Sequence, residues 1–140
     1  MAHHLRFSEL HQYDLSEVGI NVPMCLRYRN NVVNLEAKLD TGATYCIFRR
    51  AIADLLGLDI EGGHAQVMAT ATGTFDTYGH EVEIKTLGIE MRAVVYFAAD
   101  EHFNRDVLGQ IGWLDRLRIG IVHHDGFLYL GHHNDDQSSR

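Results

Sequence analysis

Apolar side chains alternate with polar ones at Ile20, Val22, Met24, Leu26 and Tyr28, and again at Val33, Leu35, Ala37 and Leu39. A period of two places every second side chain on the same face of a strand, so each run predicts a strand with one face turned to a core. Between them "RNN" predicts a turn, with Asn30 and Asn31 as residues that tolerate a left-handed backbone. The period changes in "RRAIADLLGL": Ile52, Leu55 and Leu56 fall at i, i+3 and i+4, which predicts a helix burying that stripe and ending at Gly57. Residues 66–72 and 74–84 predict two strands around Thr72-Gly73, and "IEMRAVVYFA" predicts another. In "GWLDRL", Trp113, Leu114 and Leu117 share one side of a short helical turn. "RIGIVHH" and "FLYLG" flank Asp125-Gly126, a dipeptide suited to a two-residue type I′ turn, and predict a closing hairpin.

These elements sum to a mainly β domain with one helix, and strands at this spacing predict a barrel or a sandwich. A chain of 140 residues is the size of one domain, with 46% hydrophobic and 22% charged residues as in an ordinary globular protein. Residues 1–19 are expected to form an N-terminal arm, 20–131 the domain, and 132–140 a polar, disordered tail. The longest apolar run, Ala93 to Ala99, is far short of the roughly 20 residues that cross a bilayer. The N-terminus lacks the apolar segment of a secretory signal, so a cytoplasmic location is expected.

Charge narrows the partners. A net charge of −7 without a Lys/Arg cluster argues against a nucleic-acid-binding face and against an anionic membrane surface. Cys25 and Cys46 are too few for a disulfide framework and sit in apolar surroundings, where a thiol behaves as a small hydrophobe. The histidines His3-His4, His123-His124 and His132-His133 are adjacent pairs, and neighbours on a strand point to opposite faces. With no His-x-x-x-His on a helix and no Cys-x-x-Cys, neither a metal nor another cofactor is expected. Ser8, Ser16 and the two cysteines likewise lack the setting of a serine or cysteine nucleophile.

The candidate chemistry lies in "AKLDTGATYCIF", where Asp40 stands between two strand-like runs and Gly42 lets the backbone approach its carboxylate. Taken alone, such a residue could be a turn aspartate that caps its own loop. The context points further. "LDTGAT" resembles the active-site loop of aspartic proteases, and its single copy in a short chain is similar to the retropepsin-like branch. Downstream, "RDVLGQIGWLDRL" resembles that family's apolar-apolar-Gly segment followed by a short helix. The resemblance covers about residues 20–131. It implies a closed acid-protease-type barrel with one helix after the active-site strand and a short helical turn near the C-terminal strands.

The resemblance also implies roles. Asp40 would be the catalytic acid, with Thr41, Gly42 and Ala43 completing the active-site loop and Thr41 reaching across to a partner loop. Thr44, Val107, Leu108, Gly109 and Gln110 would support the loop. Viral relatives carry an ion pair at the positions of Thr44 and Gln110, so a hydrogen bond between these two neutral side chains is expected to replace it. Ala43 cannot offer the hydroxyl bond that Ser or Thr relatives give the ionised oxygen, so a working range nearer neutral pH is expected. Residues 67–78 lie where the family places its flap, with Ala69, Thr70, Ala71, Thr72, Gly73 and Thr74 as the candidate flap residues. Because the mechanism needs two carboxylates and the chain has one such loop, the resemblance implies a homodimer acting on an extended peptide or protein substrate. In viral relatives the chain ends interleave in a sheet between subunits. "FLYLG" could serve there, or the arm could replace or cover it. The alternatives are a non-catalytic peptide-binding or dimerisation module with the same fold, and a metal-dependent regulatory protein.

Overall fold

The computed structural model describes residues 1–135. In it the N-terminal arm supplies a strand, β1 (Glu9–Gln12), and the two alternating runs become β2 (Asn21–Tyr28) and β3 (Asn31–Leu39), paired antiparallel from Asn21–Lys38 to Tyr28–Asn31. Val22, Met24 and Leu26 of β2, with Val33 and Ala37 of β3, are buried. The left-handed residue of their turn is Arg29, with φ 54°, and not either asparagine, because only Arg29 and Asn30 lie between the last paired residues.

Beyond β3 come a short β4 (Ile47–Phe48) and the helix α1 (Arg50–Leu56), which Gly57 ends at φ 75° with its N–H directed to Ala53 and Asp54 carbonyls. The buried stripe of α1 is Ile52, Ala53 and Leu56, whereas Leu55 is 65% exposed. Either side of the Ile52–Leu56 row could have faced inward at 3.6 residues per turn; packing on β2, β3 and β7 selected the side holding the small Ala53.

The middle of the chain forms β5 (His64–Thr70), β6 (Gly73–Thr86) and β7 (Ile89–Ala98). β6 is long enough to change neighbour: Gly73–Gly79 pair with β5, while Glu83–Thr86 pair with β2. That second pairing closes a ring. With β8 (Val107–Leu108) inserted between β3 and β4, the order runs β2-β3-β8-β4-β7-β6 and back to β2, with β5 as an appended strand. The mainly β architecture with one α-helix expected from the sequence is present. Trp113, Phe48, Phe97, Leu26 and Leu56 fill its interior. Burying each large apolar side chain is worth about 1.5–3 kcal/mol.

A separate three-stranded sheet holds β9 (Leu117–Val122) and β10 (Phe127–His132), with β1 added on the other side of β10. β10 is therefore the central strand, and the arm covers the edge of "FLYLG" that a partner strand would need. The β9–β10 connection is also not a type I′ turn. Residues His123–Asp125 form a 3₁₀ turn and only Gly126 is left-handed, at φ 71°, since the last pair is Val122–Phe127 and four residues must be spanned. The expected polar tail overlaps β10 at His132, and residues 136–140 lie outside the described residues. The rings of His132 and His133 do not part to opposite faces but lie 4.6 Å apart, because the strand ends between them. Among the described residues no helix is long and apolar enough to cross a membrane.

Candidate active site

The loop that carries Asp40 is held at both ends by the same short strand. β8 pairs parallel with the end of β3, through Lys38–Val107 and Leu39–Leu108, and antiparallel with β4, through Ile47–Val107. The loop between them cannot move without opening one ladder or the other. At its start the Asp40 N–H donates to the Leu108 carbonyl at 3.0 Å, and the Asp40 carbonyl accepts the Ala43 N–H at 3.1 Å. The carboxylate itself is exposed, and its Oδ1 accepts the Gly42 N–H at 2.9 Å. This bond turns the side chain back over its own loop, and a Cβ at Gly42 would stand 3.3 Å from that oxygen.

The segment after β8 locks the far side. Gln110 N–H donates to the Ala43 carbonyl and Ile111 N–H to the Thr44 carbonyl, both at 2.8 Å. Gly109 is packed so tightly that a Cβ there would lie 2.4 Å from the Tyr45 oxygen and 2.7 Å from the Ala43 oxygen. Only glycine lets the two backbones approach this closely. Val107, Leu108 and Gly109 thus pack against the loop that carries Asp40. The side-chain pairing of Thr44 with Gln110 does not form: the Gln110 amide donates instead to the Thr41 carbonyl at 2.6 Å, and Thr44 is tied through its backbone. An amide has a donor that a backbone carbonyl can use; the Thr41 carbonyl accepts it, while the Thr44 carbonyl accepts the Ile111 N–H.

Cys46 has a part that the sequence did not reveal. Its buried sulfur accepts the Gly109 N–H at 3.3 Å, and burial pushes the thiol up to about 11, against the smaller opposing effect of that bond. One further support is Asp106, whose Oδ1 and Oδ2 accept the N–H and Nε–H of Arg49, each at 3.0 Å, while its carbonyl accepts the Lys38 N–H.

A cleft of about 490 Å³ opens at Asp40, Gly42, Ala43 and Thr44. Ala69 and Thr70 of the candidate flap line it too, together with Val67 and Met68 of β5. Ala71, Thr72, Gly73 and Thr74 form the exposed tip and do not line it. The tip turns at Ala71-Thr72, one position earlier than the sequence placed it, because Thr70 pairs with Gly73. Sequence reasoning placed Phe75 only within the broad flap stretch and missed Phe103 and Arg105. The two phenyl rings stack 5.0 Å apart at 22° and line the cleft with Arg105. The available signal was their position: Phe75 lies two residues from the buried Thr77 on β6 and so shares its face, and Phe103 and Arg105 lie within four residues of the start of β8. Trp113 is core, donating its indole N–H to Thr86 Oγ1 at 2.9 Å. Among the described residues no group of three or more His, Cys, Asp or Glu side chains could hold a metal ion.

The fold and the motifs agree with comparisons to other proteins. The chain is similar to the retropepsin-like aspartic protease from Rickettsia conorii, at 17% identity and TM-score 0.63, over 88% of this chain and 97% of that one. It is also similar to the EIAV protease solved in complex with the inhibitor HBY-793, at 21% identity and TM-score 0.53, over 67% of this chain and 84% of that one. No curated protein matches it. The family described as Aspartyl protease matches residues 26–113, a span that takes in both the Asp40 loop and the Val107–Gly109 segment packed against it. The chain belongs to the aspartyl protease family, whose members hydrolyse peptide bonds.

Proposed function

We propose that the protein is an aspartic endopeptidase whose catalytic unit is a homodimer, with one Asp40 from each subunit. The observation that carries this reading is a shortage: among the described residues Asp40 is the only carboxylate lining the cleft, and its side chain is exposed. Peptide hydrolysis of this type needs two. An ionised carboxylate takes a proton from water as the water attacks the scissile carbonyl, and a protonated one donates to the carbonyl oxygen. The tetrahedral intermediate then collapses as the leaving nitrogen is protonated. Two carboxylates a few ångströms apart cannot both ionise cheaply, so the pair would share one proton. A two-fold axis near Asp40 supplies this arrangement with no further residue.

The exposed Thr41 hydroxyl would then donate to the partner's loop. The β5–β6 hairpin, beside the same cleft, would act as the flap, excluding water and adding strand-like hydrogen bonds to an extended substrate. Ala43 offers no hydroxyl to the ionised oxygen, in keeping with activity nearer neutral pH. Because both edges of β10 are occupied within the chain, strand pairing between subunits through this sheet would use the open edges of β1 or β9.

Asp40→Asn tests the reading. It should abolish cleavage of a denatured protein substrate while leaving the melting temperature within a degree or so, since the side chain is exposed. Mixed with an equal amount of wild type and allowed to exchange, it should reduce activity to about a quarter of that of an all-wild-type sample at equal total protein. Full cleavage by the variant, or by a species that sediments as a monomer, would overturn the proposal. Peptide binding without cleavage by the wild type would favour the non-catalytic module.

A further inference from the structure

We infer that Arg105 selects an acidic side chain in the substrate, next to the bond that is cut; this rests on the reading of the cleft as the peptide site of a homodimer. The residues lining the cleft include two charges, Asp40 and Arg105. Asp40 is committed to the reaction. Arg105 is exposed and has no hydrogen bond or ion pair to any of the described residues. In this it differs from Arg27, Arg49, Arg50 and Arg92, each of which faces a carboxylate of the chain. A guanidinium left open in a cleft has its donors available for a carboxylate that arrives with a ligand.

The position is built to hold that charge in place. The residue after Arg105 is Asp106, fixed through its carbonyl to Lys38 and through both carboxylate oxygens to Arg49. Two residues before it, Phe103 stacks on Phe75 and both rings line the cleft. The aromatic pair offers an apolar wall for the methylenes of a Glu or Asp side chain, and it excludes water from one side of the ion pair, which strengthens it. The chain's net charge of −7 would repel an acidic peptide at long range, so the preference belongs to contact at Arg105 and not to steering. Under two-fold symmetry both subunits present an Arg105, so the preference should occur on both sides of the scissile bond.

The test compares wild type, Arg105→Ala and Arg105→Glu on a randomised peptide library, with cut sites read by mass spectrometry. Wild type should favour Asp and Glu over Asn and Gln beside the cut by about fivefold, the upper range for a partly exposed ion pair. The preference should vanish in Arg105→Ala and turn toward Lys and Arg in Arg105→Glu. The same Glu-to-Gln ratio in wild type and Arg105→Ala would overturn the inference while leaving the protease reading intact. Should wild type cut nothing, the library is panned on each protein. Acidic peptides retained by wild type and lost by Arg105→Ala would then uphold the inference although the protease reading fails, and equal retention would overturn it.

Discussion

The side-chain amide of Gln110 donates to the backbone carbonyl of Thr41, 69 residues earlier, at 2.6 Å. The bond ties the active-site turn to the segment behind it at the residue that would meet the partner loop. Gln110→Ala removes one hydrogen bond and should cost about 1 kcal/mol of stability. Activity should fall further, about tenfold in kcat/KM, because small displacements of a catalytic group are expensive. Gln110→Glu should be worse on both counts, since it turns acceptors toward the Thr41 oxygen. Thermal melts and steady-state kinetics of the three proteins check the order.

Gly109→Ala should be among the most damaging single changes. The new Cβ would meet two backbone oxygens of the active-site loop, at Tyr45 and Ala43, and neither can rotate away as a side chain could. Overpacking of this kind costs roughly 1–3 kcal/mol or more. Urea unfolding should report that loss, and the folded fraction should still show reduced kcat because the loop is pushed from its place.

Cys46 sets an alkaline limit. Burial holds its folded-state value at about 11, above the ordinary 9.0 of the thiol. Below pH 9 the thiol is protonated in both states and its contribution is complete. As pH rises from 9 toward 11 the unfolded chain loses the proton first, so stability is lost across that window, by roughly 2–3 kcal/mol at most. Cys46→Ser should flatten this part of the stability–pH curve relative to wild type, as measured by urea midpoints at a series of pH values. The same burial should make Cys46 slow, and the half-exposed Cys25 fast, to react with a thiol reagent at pH 8.

Thr86→Val keeps the shape of a buried side chain and removes the oxygen that accepts the Trp113 indole N–H. A buried donor without a partner costs about 1–3 kcal/mol. Denaturation followed by the fluorescence of the single tryptophan should show an earlier midpoint with an unchanged slope.

What the chain's own order of residues settles here is local. Alternation at Val22–Met24–Leu26 identifies a half-buried strand, Gly57 ends a helix, and Asp40-Thr41-Gly42 followed later by Val107-Leu108-Gly109 identifies the family, because each signal lies within a few neighbouring residues. Tertiary structure decided whatever depends on residues distant in sequence. It gave the Gln110 amide to Thr41 and not to Thr44, and it turned Leu55 outward. It also brought Phe75 beside Phe103 and placed β10 between β1 and β9. Period and turn chemistry fix which face of an element is apolar, but not what it meets. That choice is made by long-range pairing and packing, where several near-equal local options are separated only once the ring of strands has closed.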